Sequence, residues 1–207
     1  MSRKVFDVLT SAVGAVVVVL LLVVGGLAMW GAHFASSNVH DQLARQQIFF
    51  PPKAVIANPP AGSHEITPAM KPFLLQYGGQ QVLTGAQAEA YANHFIAVHL
   101  SEMPYGGVYS KISAAAMANP TNAGLKALEQ TSFQGTTLRG LLLEAYGFST
   151  FGEIAFWAAI AAFSLAFVMA CLVALGIWHA YRTPAEEDLF SRRATKKAAT
   201  AGTPALA

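Results

Sequence analysis

Two long stretches without a formal charge dominate the chain: 33 residues separate Asp7 from Asp41, and 28 separate Glu153 from Arg182. A helix that crosses the hydrocarbon core of a bilayer needs roughly 20 mostly apolar residues at 1.5 Å rise. The cores of the two runs, residues 8–32 and 154–178, meet that length. The sequence therefore predicts an all-α membrane protein in which two transmembrane helices flank one helical extracytoplasmic domain, residues 33–153. Residues 1–7 make a short cytoplasmic N-terminus, and residues 179–207 a disordered basic tail.

Orientation follows from the basic residues. Arg3, Lys4, Arg182, Arg192, Arg193, Lys196 and Lys197 lie on the terminal side, whereas Arg45 and Arg139 are the ones on the loop side near the membrane ends. The positive-inside rule then places both termini in the cytoplasm of a bacterial plasma membrane and the central domain outside. Trp30, Phe34, Phe151, Phe156 and Trp157 would mark the outer interface, and Phe6, Trp178 and Tyr181 the inner one. A signal peptide is the rival reading of the first run. Its apolar stretch exceeds the usual 7 to 15 residues, and Ala32-His33-Phe34-Ala35 lacks the small residue required before a cut, so the first helix is expected to remain as an anchor.

The loop from Asp41 to Glu153 carries six basic and seven acidic residues, which gives no basic patch for nucleic acid. Arg192, Arg193, Lys196 and Lys197 are candidates for contact with anionic lipid headgroups. The single cysteine, Cys171, falls inside the second span and excludes an intrachain disulfide.

Helical periodicity dominates the central domain. No Gly or Pro occurs between Ala32 and Phe50, so the first helix is expected to continue beyond the membrane until Pro51-Pro52 stops it. Six of the ten prolines fall within residues 51–72, which predicts an extended strap. Ile48, Phe49 and Phe50 at its start either fold into the domain or form an exposed docking patch. Thr84 with Gln87 is a capping-box pattern that opens a helix over residues 85–103. At 100° per residue, Ala88, Tyr91, Ala92, Phe95, Ile96, Val98 and Met103 share its core face. Further helices are expected over 108–118, around Leu125 and Leu128, and over 137–146, with Thr150 and Glu153 as a second capping box opening the second span.

Chemical motifs are scarce. His94 and His99, five residues apart, point about 140° away from each other on an α-helix and do not share a metal. His99 and Glu102 are spaced to meet as a buried hydrogen-bonded pair, with a ligand or proton-handling role as the alternative. No nucleophile elbow, phosphate-binding loop or cysteine pair occurs, and no cofactor is implied. Ala158, Ala162, Ala166, Ala170 and Ala174 recur every four residues, a small-xxx-small row that admits a close partner helix. That partner is the first span, another membrane protein subunit or a second copy of the chain.

The stretches 38–43 (Asn-Val-His-Asp-Gln-Leu), 48–52 (Ile-Phe-Phe-Pro-Pro), 91–100 (Tyr-Ala-Asn-His-Phe-Ile-Ala-Val-His-Leu) and 137–143 (Thr-Leu-Arg-Gly-Leu-Leu-Leu) resemble a family of uncharacterised two-pass membrane proteins of actinobacteria. The resemblance runs from the first span to the second. Some members are described as ring-opening-dioxygenase-like, which implies a non-haem iron site. A facial triad needs two His and a carboxylate converging, and the residues here do not supply it. The expected role is therefore a non-catalytic accessory or assembly subunit of a plasma-membrane complex. A receptor-like sensor acting through a separate signalling partner is the alternative, and a metal-dependent membrane enzyme using His99 and Glu102 is a further one.

Overall fold

Helix boundaries follow the punctuation of the chain in some places and override it in others. A computed structural model describes residues 3–182, and all the regular structure there is helical. In chain order the elements are α1 (Arg3–Gln46), α2 (Lys53–Ala57), α3 (Lys71–Leu74) with a 3-10 turn (Leu75–Tyr77), and α4 (Gly85–Tyr91). A π-helical turn (Ala92–Ile96), α5 (Ala97–Glu102), a 3-10 turn (Pro104–Gly107), α6 (Tyr109–Ala118) and α7 (Ala123–Arg182) follow. The chain forms two compact units, one made by the residues up to Trp30 and from Phe156 onward, the other by Gly31–Ala155.

In the first unit, α1 and α7 run antiparallel. A Cβ on Gly14 would come within 2.7 Å of Val173, one on Gly25 within 2.9 Å of Phe163, and one on Gly176 within 2.6 Å of the Ser11 hydroxyl. The seam on α1 is Ser11, Gly14, Val18, Leu21, Gly25 and Ala28; on α7 it is Ala159, Ala162, Ala166, Met169, Val173, Gly176 and Ala180. Both alternate steps of three and four, the repeat of a left-handed supercoil. Small side chains in the seam let the backbones approach and gain dispersion contact. The opposite faces are apolar and open, with Val16, Leu20, Leu27, Leu165 and Phe167 all well exposed. Only 11% of the most apolar window of each helix is buried within the chain, whereas a core helix of a soluble protein is mostly covered. Both helices are long and apolar enough to cross a membrane.

Within the chain, the first span covers only part of the four-residue alanine row. Ala162 and Ala166 are buried in the seam, but Ala158, Ala170 and Ala174 are exposed. A straight four-residue row drifts around the helix, so a close partner retains only part of it.

In the second unit, α1 buries Ala32, Ala35, Val39 and Leu43 on one face. Gly152 of α7 sits against Ala35 and Gly85 of α4 against Ser149. The core gathers Leu43, Phe50, Ile56, Met70, Leu74, Val82, Ala88, Ala92 and Leu142. Phe50 lies between Tyr77 and Tyr91, with ring centroids at 5.2 and 5.3 Å. Around it the backbone is held by the Phe50 N–H donating to Gln80 O at 2.9 Å and the Val82 N–H donating to Ile48 O at 2.8 Å. A single antiparallel bridge, Phe49 with Gln81, results.

Two further expectations change, and one open alternative narrows. The proline-rich strap 51–72 is not uniformly extended, because α2 begins directly after Pro52 and α3 takes Pro72 in its first turn, where the missing N–H costs nothing. Of the two readings of Ile48, Phe49 and Phe50, folding into the domain holds for Phe50, 2% exposed in the core, and for Ile48, packed against it, while the bridge turns Phe49 to the other face at 56% exposed. The helices expected around Leu125, over 137–146 and from 154 onward are one 60-residue helix. Thr150 is not a cap within it; its hydroxyl donates back to Tyr146 O at 3.0 Å.

Candidate functional site

The capping box opens α4 as a closed set of bonds. The Gln87 N–H donates to Thr84 Oγ1 at 3.2 Å, and Gln87 Oε1 accepts from the N–H groups of Thr84 and Leu83. This fixed start leads into the π turn Ala92–Ile96, where the Ala97 N–H donates to Ala92 O. The wider turn shifts everything after it relative to an uninterrupted α-helix. π turns of this kind recur at functional sites.

The π turn sends its polar side chains to different neighbours. Asn93 donates to Glu89 Oε1 and accepts from Arg139 Nη2 of α7, both at 2.9 Å. The Arg139 Nε is buried without a hydrogen-bond partner. His94 stacks flat on Phe73, with centroids 3.4 Å apart and planes 2° from parallel. Tyr91, just before the turn, has its hydroxyl pushed above the usual tyrosine pKa of 10.0, first by burial and then by the Glu65 carboxylate.

His99 and Glu102 do not form the expected buried pair. The His99 Nδ1 lies 2.8 Å from Phe95 O, and since a carbonyl only accepts, Nδ1 carries the proton. The Phe95 ring meets the His99 ring at 4.5 Å and 63°. Glu102 is exposed, at the last turn of α5 before Pro104 ends the helix. His94 and His99 have separate partners, and among the described residues no group of three His, Cys, Asp or Glu is arranged to hold a metal ion. His40 lies 3.3 Å from Asp41, and His179 lies 3.9 Å from Asp7 within the first unit. Arg192, Arg193, Lys196 and Lys197 lie outside the described residues.

Beside His99 is a cavity of about 210 Å³ lined by Phe95, Ile96, His99, Leu100, Met103, Thr131 and Gly135. The loop that follows its Met103 edge is strained: Tyr105 has φ 61° and Gly106 and Gly107 each φ 66°. A left-handed conformation is rare for a bulky residue. Gly107 packs so closely on the Leu100 backbone that no Cβ fits, and the buried Ser132 hydroxyl donates to its carbonyl at 2.9 Å. The Leu100 wall is thus held against the 104–107 turn. Sequence reasoning singled out His99 but missed Thr131, Ser132, Gly135 and Arg139. Their signal was present only as Thr131, Gly135 and Arg139 spaced four apart on α7, with Ser132 next to the first.

A second depression of about 420 Å³ lies between α1 and α7 within the same unit. Asn38, Gln42 and Gln46 form an amide ladder along one rim, and Leu141, Glu144 and Phe148 line the other. Leu141 is 52% exposed and Phe148 40%, high for large apolar side chains at a groove. No protein-family model, curated protein or solved structure matches this chain.

Proposed function

We propose that the protein is a non-catalytic accessory subunit of a plasma-membrane complex, anchored by two spans with both termini in the cytoplasm and residues 33–153 outside. The observation that carries this reading is the groove between α1 and α7. Its exposed Leu141 and Phe148 supply apolar contact, while Asn38, Gln42 and Gln46 repeat at a helical spacing of four. That combination suits a partner helix lying along the groove, anchored by apolar side chains and read by amides. Aligned amides at a helix interface also favour one register over its neighbours. The basic residues at the two ends of the chain support the orientation.

The test is affinity purification from native membranes, with the partner's stoichiometry measured for the unaltered protein and for a Leu141→Asp, Phe148→Asp variant. A defined complex at near-equal stoichiometry that is lost in the variant, with helical content retained, supports the reading. Recovery of the protein alone across several mild detergents overturns it. A receptor-like role, working through a separate signalling partner, is the second reading, and the cavity beside His99 is the observation that favours it.

A further inference from the structure

We propose that the cavity beside His99 is a binding site for a neutral, mostly apolar molecule of about the size of a fused bicyclic ring that presents one hydrogen-bond donor to His99 Nε2.

Size sets the first limit. The hollow measures about 210 Å³ and opens to solvent on its Thr131 side, so it holds a ligand of bicyclic size against its apolar walls and leaves one edge uncovered. The walls set the second limit. Phe95, Ile96, Leu100 and Met103 offer ring edge, alkyl and thioether surface, which favours an apolar body.

The polar groups determine the rest. His99 Nδ1 is committed to Phe95 O at 2.8 Å, so Nε2 is the ring nitrogen left for a ligand, and in the neutral form of the ring it carries the lone pair. The Thr131 hydroxyl proton is committed to Ala127 O at 3.0 Å. The cavity therefore offers acceptors and no free side-chain donor. No Lys, Arg, Asp or Glu lines it, so nothing there compensates a carboxylate or an ammonium group. A neutral ligand with an N–H or O–H is what remains. Apolar walls with one convergent polar group are the usual composition of a small-molecule site.

Local irregularity points to the same place. The π turn ends at Ile96, inside the lining, and the left-handed Tyr105 lies two residues beyond Met103. Departures from regular backbone persist where the surrounding structure holds them, and they gather at binding sites. Here Ser132 and Gly107 do the holding, and the Phe95 carbonyl and ring fix the imidazole before any ligand arrives. This inference does not depend on the docking role of the α1–α7 groove.

The full chain in lipid nanodiscs is titrated with indole and with benzothiophene, its near-isostere without an N–H, while the ¹⁵N resonances of the histidine rings are followed. Indole is expected to bind saturably, to shift the His99 Nε2 resonance, and to bind about tenfold more tightly than benzothiophene, the ratio of one net hydrogen bond. His99→Phe is expected to abolish that preference while retaining a ring in the wall. Thr131→Trp, at an exposed position where folding tolerates size, is expected to block both ligands. Equal affinity for the two ligands, an unmoved His99 resonance, or indole uptake that Thr131→Trp leaves unchanged each overturns the proposal.

Discussion

Ser132, buried in the third turn of α7, donates its hydroxyl to the carbonyl of Gly107 at 2.9 Å across 25 residues of sequence. This bond ties the strained Tyr105–Gly107 loop to the long helix. Ser132→Ala removes the donor and leaves the carbonyl of the buried Gly107 without it, at a cost of about 1–3 kcal/mol. Chemical denaturation of the purified protein should show that loss. Hydrogen exchange should quicken around residues 104–108 and stay unchanged in α4. An exchange pattern indifferent to the substitution would place the loop's restraint elsewhere.

The α1–α7 seam predicts which alanines tolerate enlargement. Ala162→Leu and Ala166→Leu insert volume where the helices touch and should cost about 1–3 kcal/mol. Ala170→Leu and Ala174→Leu enlarge exposed positions and should stay within about 0.5 kcal/mol. Thermal unfolding in one detergent ranks the four. In a chain with Cys171→Ala, cysteines at Ser11 and Gly176 should cross-link readily, because those positions face each other across the seam. Equal sensitivity of all four alanines would restore the four-residue row as the packing face.

Legibility of this chain varies with the physical origin of each feature. The two apolar helices and the Thr84–Gln87 cap were readable because charge, length and local hydrogen-bonding chemistry determine them. The continuity of α7 was not. Gly135, Gly140, Gly147 and Gly152 suggest breaks, yet Gly135 and Gly152 sit where Leu100 and Ala35 approach closely, and tertiary packing offsets their lower helix propensity. The alternation at Ile48–Phe50 depends on a bridge to Gln81, 32 residues beyond Phe49, which local periodicity does not register. The π turn hides for a related reason. Its residues read as ordinary helix formers, and only the neighbours taken by Asn93, His94 and His99 reveal the shift.

Tyr91 predicts a pH dependence at the alkaline end. Burial and the Glu65 carboxylate both hold its proton, so the folded pKa lies above the unfolded one. The folded state then binds more protons than the unfolded state once pH passes the ordinary value of 10.0. The associated stability is complete below that pH and is lost as pH rises through the folded pKa. Tyr91→Phe should remove this contribution, leaving a flatter alkaline limb in denaturation measured against pH. Glu65→Gln should lower the pKa only partly, since burial is the larger cause. Ultraviolet titration of phenolate, compared with Tyr91→Phe to isolate this residue, checks both.

The Glu89–Asn93–Arg139 chain joins the π turn to α7 and yields the most discriminating pair of substitutions. Asn93 satisfies Glu89 and Arg139 at once, so Asn93→Leu strips a partner from two charged groups. A loss of about 1–3 kcal/mol follows from leaving them unpaired. Arg139→Met removes a side chain whose Nε is already buried without a partner, while keeping its apolar stem. The double variant should therefore be less destabilised than the sum of the singles, with a coupling of about 0.5–3 kcal/mol. Additive losses would mean that Asn93 and Arg139 act independently, and that the π turn is held by its packing against Phe73 and the core rather than by this polar link.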